Sequence, residues 1–189
     1  MKKIDMTNVQ EAGESRRIPA GAYAGIITKV EDFPDKEYLK VTYDIAEGDF
    51  RGYYSEQRKR YPDSEWIGAY VKSYKPKALP MFKRFCTAVS HSNQNFVFDG
   101  GAINSDERTL IGKKVGLVLQ EEEYYGNDGN LKTRIVVARE CDVAKLAEQR
   151  IPGVKKLKEE PTAKPAQAPT NPGGFMDLPQ SGLDEVPFV

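Results

Sequence analysis

The chain contains few of the residues that metal centres and disulfide frameworks need. It has two cysteines, Cys86 and Cys141, far apart and without CxxC spacing, and a single histidine, His91. We therefore expect no structural zinc site and no disulfide framework, as in a reduced protein of the cytoplasm. No run reaches the ~20 apolar residues of a membrane-spanning helix. The N-terminus, Met1-Lys2-Lys3-Ile4-Asp5, has no apolar signal core, so we expect no membrane association.

Catalytic signatures are also missing from the sequence. There is no Gly-x-Ser-x-Gly, no HExxH and no phosphate loop, since neither Gly-Gly pair is followed by Lys-Ser or Lys-Thr. The run Glu121-Glu122-Glu123 would suit a nuclease metal site only if its carboxylates converged, and in a strand Glu122 points away from its neighbours. We expect no enzyme, cofactor or metal; a small nuclease or nuclease-associated factor is the alternative.

The composition predicts one folded domain and a tail. Charged residues make up 30% and aromatic residues 10% of 189 residues, with a formal net charge of zero. From about residue 160 the chain is rich in Pro, Gly, Ala and Gln and lacks the apolar mass that offsets chain entropy. We expect an N-terminal arm at residues 1–17, a folded domain at 18–152, and a disordered linker with an acidic tip at 153–189.

Hydrophobic periodicity predicts a mostly β domain. Leu39, Val41, Tyr43 and Ile45 alternate with polar residues, as in a half-buried strand. A helical repeat follows from Leu79, with a proline in its first turn. The predicted strands are residues 22–31, 38–45, 50–55, 113–122 and 131–140, and the helix is residues 79–90.

Five strands with one helix between the third and the fourth match the order of the OB-fold. This fold is a partly open five-stranded barrel whose second and third strands and first and fourth loops bind oligonucleotides. Other small β-barrels share the same element count. Strand order therefore favours an OB-fold barrel without excluding them.

Cations and aromatic rings are concentrated in residues 51–77. This segment has seven Lys and Arg residues, six aromatic residues and three carboxylates, a local net charge of +4. Cations replace counterions along phosphates, and aromatic rings stack on unpaired bases. The predicted nucleic-acid-binding residues are Tyr38, Lys40, Arg51, Tyr53, Arg58, Lys59, Arg60, Tyr61, Trp66, Tyr70, Lys72, Tyr74, Lys75, Tyr124, Tyr125 and Arg134.

Two parts of this surface can be described more closely. Tyr38 and Lys40 share the outward face of the second strand, and Arg51 and Tyr53 share one face of the third, so antiparallel pairing would join them into one patch. Tyr124 and Tyr125 flank an Asp-Gly turn, as in a hairpin tip that stacks on bases. Structural readings stay open: some tyrosines belong to the core, Arg58-Lys59-Arg60 can be a solvated loop, and the hairpin can fold back on the barrel.

The chain ends in Leu183-Asp184-Glu185-Val186-Pro187-Phe188-Val189. Two acids followed by an apolar residue, Pro and Phe resemble the acidic tip of bacterial and phage single-stranded DNA-binding proteins. The segments Ser15-Arg16-Arg17-Ile18-Pro19-Ala20-Gly21-Ala22-Tyr23 and Gly112-Lys113-Lys114-Val115-Gly116 also resemble phage replication proteins of this kind. Two departures concern the tip: Val189 follows the phenylalanine that ends the family motif, and there are only two acids.

The resemblance implies a non-enzymatic, sequence-tolerant binder of single-stranded DNA in phage replication, recombination or repair. Asp184, Glu185, Pro187 and Phe188 would then recruit replication or recombination proteins, the acids by long-range attraction and Phe188 by filling an apolar pocket. The alternative to a DNA binder is an adaptor that binds proteins only, through its tail. The sequence leaves open whether the protein forms a homo-oligomer.

Overall fold

The computed structural model describes residues 17–157, which form one antiparallel sheet with two α-helices. The strands are β1 (Gly21–Phe33), β2 (Tyr38–Ile45), β3 (Ala69–Ser73), β4 (Lys114–Tyr125) and β5 (Leu131–Cys141). The helices are α1 (Tyr53–Arg60), between β2 and β3, and α2 (Leu79–His91), between β3 and β4. The mostly β class with a helix between β3 and β4 is thus confirmed. None of the helices in this part of the chain is long and apolar enough to cross a bilayer.

The sheet has the order β3-β2-β1-β4-β5 and is built around β1. The first half of β1 pairs with β4 and the second half with β2, and the two pairings overlap at Gly25 and Ile26. A Cβ at Gly25 would lie 2.5 Å from Leu117 Cδ1, so a glycine lets the strands approach closely there. The register then shifts between Ile27 and Lys29, a bulge that increases the twist. Both features let one long strand curve and serve two neighbours.

Helix α2 packs against the sheet and contributes to its core. Its residues Phe82, Phe85, Cys86, Ala88 and Val89 are buried at helical spacing, as the sequence predicts. The helix contacts β3, β4 and β5, so it touches both outer strands of the sheet. Phe85 is completely buried in the core cluster that α2 forms with β1, β2 and β4.

An ion pair joins the two outer strands inside this core. Lys72 Nζ on β3 lies 2.6 Å from Glu140 Oε1 on β5, and the Glu140 side chain is completely buried. The lysine also lies over the rings of Tyr70 and Phe85, with its Nζ 5.6 and 6.0 Å from the ring centroids. Within residues 17–157, Glu140 Oε2 has no hydrogen-bond partner and β3 forms no backbone ladder with β5. The edges of the curled sheet are therefore linked by side chains rather than by peptide groups.

The third strand was predicted in the wrong place. Residues 50–55 form a turn and the start of α1, and β3 begins at Ala69. Arg51 and Tyr53 therefore do not share a strand face next to Tyr38 and Lys40. The other predicted strands and the helix agree with the structure to within three residues at each end.

Lys40 and Lys72 were predicted to face solvent, but both are buried. Each has a partner far away in the sequence: Glu65 for Lys40 and Glu140 for Lys72. Burying a charge is costly unless it is paired, and these carboxylates supply the pair. The predicted continuous patch across β2 and β3 does not exist.

Replacing Glu140 alone should destabilise the fold strongly. Glu140→Leu leaves the Lys72 ammonium buried without a partner, and we expect the free energy of unfolding to fall by about 3–5 kcal/mol. The double variant Lys72→Met/Glu140→Leu removes both charges and should recover most of that loss. Urea unfolding followed by circular dichroism measures both changes.

The exposed pair Lys114–Glu47 is the control for this experiment. Lys114→Met should leave the unfolding midpoint unchanged, because that lysine is already solvated. If Glu140→Leu proved as stable as the unmodified chain, Lys72 would not need Glu140 to compensate its buried charge.

Candidate nucleic-acid interface

A carboxylate at the end of β2 holds the start of α1. Asp44 Oδ1 accepts hydrogen bonds from the backbone N–H groups of Ile45, at 2.8 Å, and Tyr54, at 2.9 Å. Its Oδ2 accepts one from the N–H of Ser55, at 2.9 Å. Gly52, the N-cap residue, has no side chain that could do this. A negative charge at a helix N-terminus is favourable, so Asp44 caps α1 from another element.

Arg58 on α1 ties the helix to the chain on both sides of it. Its Nη1 donates to the carbonyl oxygens of Tyr43 and Ile67, each at 3.1 Å, and its Nη2 donates to Ser55 Oγ at 3.1 Å. The guanidinium also lies 3.7 Å from Asp44. Three of the five N–H donors of this predicted DNA contact are therefore used in holding α1 in place. Its neighbours Lys59 and Arg60 are exposed.

The segment held by Arg58 presents two exposed rings. The side chains of Tyr61 and Trp66 are each 55% exposed. Lys40 Nζ lies 4.6 Å from the centroid of the Trp66 ring and 3.5 Å from Glu65 Oε2. The buried lysine of β2 thus supports the indole from one side and leaves the other side open.

Trp66 lines a cleft of about 540 Å³ that is bounded by α1, β3 and β5. Five aromatic residues and two arginines contribute to its walls, and no Asp or Glu side chain of residues 17–157 lines it. Four of the predicted site residues come together here: Tyr53, Trp66, Tyr70 and Arg134. Three polar residues that the sequence did not single out also line the cleft: Arg17, Gln57 and Thr133.

Unpaired peptide groups border the cleft on both sides. Hydrogen-bonded pairs alternate in an antiparallel ladder. Tyr43 donates to the Gly68 carbonyl, and Gly126 donates to the Asn130 carbonyl. These two bonds show which residue pairs of each ladder are hydrogen-bonded and which are not. The peptide groups that point away from the sheet belong to Ala69 and Val71 on β3 and to Thr133, Ile135 and Val137 on β5. Within residues 17–157 no neighbouring strand pairs with these groups.

Arg134 at the mouth of the cleft is held by a carboxylate and a ring. Its Nη2 lies 2.7 Å from Glu122 Oε2, and its guanidinium carbon lies 5.2 Å from the centroid of the Tyr124 ring. Lys155 Nζ approaches the other oxygen of Glu122 at 2.9 Å. Partial burial favours a higher pKa for Glu122, but the hydrogen bonds and charges of Lys155 and Arg134 outweigh it and lower the pKa. Two cations share one carboxylate, so the group carries a net positive charge.

Arg17 approaches the cleft from the chain preceding β1. Its Nη1 donates to Thr133 Oγ1 at 3.0 Å, which directs an exposed guanidinium over β5. No local pattern distinguishes Arg17 from Arg16 in the sequence. Only the position of Thr133 across the cleft explains its placement.

The remaining predicted residues lie elsewhere. Tyr38 is half-buried and stacked on Phe33, with ring centroids 4.9 Å apart. Tyr74 donates to Asp32 Oδ1 at 2.8 Å, and desolvation together with that bond raises the pKa of Tyr74 to about 12. Tyr125 is the last residue of β4 rather than part of a loop tip, and Arg51 and Lys75 are exposed outside the cleft.

Tyr70 and Lys72 point towards the core. Burial and the nearby charge of Glu140 raise the pKa of Tyr70. Asp184, Glu185, Pro187 and Phe188 lie outside the described residues.

No protein-family model matches the chain, and no curated protein matches it either. What the cleft binds is therefore inferred from its side chains, their charges and their geometry. No group of three or more His, Cys, Asp or Glu side chains within residues 17–157 is arranged to hold a metal ion.

Loss of Arg58 should destabilise the fold, unlike the loss of its exposed neighbour. Arg58→Ala leaves the buried carbonyl groups of Tyr43 and Ile67 without their donor, and we expect the free energy of unfolding to fall by about 2 kcal/mol. Lys59→Ala, one residue along the same helix, is the control and should leave stability unchanged. Urea unfolding compares the two, and equal stabilities would show that the Arg58 contacts do not stabilise the fold.

Proposed function

We propose that this protein binds single-stranded nucleic acid, with DNA as its ligand, in the cleft between β3 and β5. The observation that carries the proposal is the lining of the cleft: the exposed Trp66 ring, the half-buried Tyr53 ring and two arginines, with no carboxylate of residues 17–157 among the lining residues. Arginine neutralises phosphates and stacks on bases, while aromatic rings accept any base without a fixed hydrogen-bond pattern. A carboxylate would repel the phosphates, so its absence within the described residues is part of the complementarity.

Trp66 is the residue best suited to stack on a base. More than half of its surface is exposed, one side of the ring is supported by Lys40, and the ring stands at the wall of the cleft. The guanidinium groups of Arg17 and Arg134 are within the same cleft and would contact phosphates. The unpaired peptide groups of β3 and β5 offer hydrogen bonds to base edges that a duplex would keep paired. Unpaired strands are therefore favoured over duplexes.

The strand arrangement supports an OB-type barrel for this domain. β1 lies between β2 and β4, α2 follows β3 and covers the inside of the curled sheet, and β3 and β5 face each other across the cleft. OB-folds are partly open barrels that bind oligonucleotides, which agrees with the absence of a ladder between β3 and β5. In the bacterial or phage setting implied by the resemblance, binding is non-enzymatic and protects single strands during replication, recombination or repair.

Trp66 is the single tryptophan of the chain, so its fluorescence reports on the cleft directly. We expect quenching on titration with oligo-dT at low salt, and reversal of the quenching as salt is added. Trp66→Ala should weaken binding of labelled oligo-dT about tenfold, because stacking contributes about 1–3 kcal/mol per base. Fluorescence anisotropy measures the affinity of the variant.

Two control variants make this test specific. Trp66→Phe keeps a ring and should retain most of the affinity, while Lys75→Ala removes an exposed cation outside the cleft and should change it little. A chain that gives no anisotropy change with oligo-dT at low salt would rule out the proposed function.

The C-terminal tip is proposed to act on proteins and not on DNA. Deleting residues 184–189 should leave the affinity for oligo-dT equal or slightly higher, since two negative charges are removed. Binding to replication or recombination proteins of the host, measured with the purified partners, should be lost. A large loss of DNA affinity in the truncated chain would instead place the tip in the DNA site.

A further inference from the structure

A second cavity lies on another part of the domain and differs in chemistry from the cleft. It is a groove of about 830 Å³ between α2 and the connection that follows it, residues 96–107. Leu39 of β2 and Asp32 of β1 also contribute to its walls. The groove shares no lining residue with the cleft between β3 and β5.

The groove is apolar inside and remains apolar at its surface. Phe82 and Phe98 are buried at its floor, while Leu79 and Val97 are 49% and 48% exposed. Leu79 lies at the start of α2 and Val97 on the facing connection, so apolar surface borders the groove from both elements. Exposed apolar groups around a concave site mark a binding surface more often than scattered ones do.

The charges around the groove are mainly negative. Asp32, Asp99 and Glu107 line it, against Lys83 as the one lysine or arginine among its described lining residues. Neither Asp32 nor Asp99 forms an ion pair with a cation of residues 17–157; Asp32 instead accepts the hydroxyl of Tyr74.

Asp99 is fixed as an anion by the backbone of its own loop. Its carboxylate accepts hydrogen bonds from the N–H groups of Asn104, Gly101 and Ile103 at 2.9, 3.1 and 3.3 Å. These backbone bonds lower the pKa of Asp99, so the group is charged at neutral pH. The groove therefore combines an apolar interior with a net negative lining: Asp32 and Asp99 have no ion pair within residues 17–157, Glu107 pairs with Arg108 at 3.9 Å, and Lys83 is one cation against the three carboxylates.

Such a site repels phosphates and attracts a different ligand. An apolar side chain gains by entering the groove, and a neighbouring cation gains by approaching Asp32 and Asp99. We propose that the groove along α2 docks a segment of a partner protein that presents an apolar side chain flanked by lysine or arginine. This second site is independent of the proposed nucleic-acid cleft.

Two short peptides test the proposal. Both carry one phenylalanine with blocked ends and a fluorescent label; the phenylalanine is flanked by lysines in one and by glutamates in the other. We expect the lysine peptide to bind and the glutamate peptide not to bind, as measured by anisotropy. Chemical shifts of amide groups should change along α2 and residues 96–107.

Matched substitutions locate the site. Thr87→Trp fills the groove from α2 and should weaken binding of the lysine peptide at least tenfold, while Arg84→Trp, on the same helix outside the groove, should not. Asp32→Asn keeps an acceptor for Tyr74 and should weaken binding about threefold, the size expected for a partly exposed ion pair. Asp35→Asn, three residues away and outside the groove, should have no effect.

Several outcomes would overturn the inference. They are equal affinity for both peptides, no binding of the lysine peptide, or binding that Thr87→Trp leaves unchanged. If oligo-dT displaced the peptide, the peptide would be bound in the cleft between β3 and β5 and not in the groove. A change in oligomeric state on Thr87→Trp, measured by sedimentation, would show that the groove holds a second copy of this chain. Because oligo-dT binding is measured separately, failure here is distinct from failure of the proposed function.

Discussion

The buried ion pair between Lys72 and Glu140 constrains the structure most sharply, because neither charge can stay buried in the core without the other. β3 and β5 are the outermost strands of a five-stranded sheet, and no ladder joins them within the described residues. Their approach relies on one salt bridge of 2.6 Å and on the apolar residues that α2 packs beneath it. β3 and β5 form no ladder with each other within the described residues, and the cleft lies between them.

This arrangement explains why an ion pair between β3 and β5 is compatible with a binding site between the same two strands. A continuous ladder between β3 and β5 would use the peptide groups of Val71, Thr133, Ile135 and Val137. The gap between β3 and β5 would then be closed, and the cleft would lose one of its walls. The ion pair holds the strand edges near each other without using those groups, although burying two charges contributes little net stability by itself. The strand edges therefore keep hydrogen-bonding capacity that a ligand can use.

Much of the fold follows from local pattern, and the failures have one common cause. β2 and α2 bury one set of side chains at a fixed period, so periods of two and 3.6 residues identify them. Residues 46–68 carry no such period, and their tyrosines favour a strand by propensity alone. The helix is held there by Asp44, which caps it, and by Arg58, which donates to the carbonyl of Tyr43. Asp44 and Tyr43 belong to β2, so residues 46–68 taken alone do not reveal these contacts.

Only some of the predicted site residues line the cleft, and whether it binds nucleic acid stays a prediction. The concentration of rings and cations in residues 51–77 did mark the wall of the cleft, since Trp66 and Tyr53 line it. Lys40 and Lys72 were misplaced because a lysine in a strand normally faces water; their partners, Glu65 and Glu140, lie 25 and 68 positions further along the chain. Arg17 and Thr133 line the cleft only because the fold brings β5 and the chain before β1 together.

A formal net charge of zero does not reveal that the two cavities differ in charge. A sum over the sequence carries no information on where the fold places the positive and the negative side chains. The two proposed sites therefore differ in charge: no carboxylate of residues 17–157 lines the cleft, whereas three carboxylates line the groove.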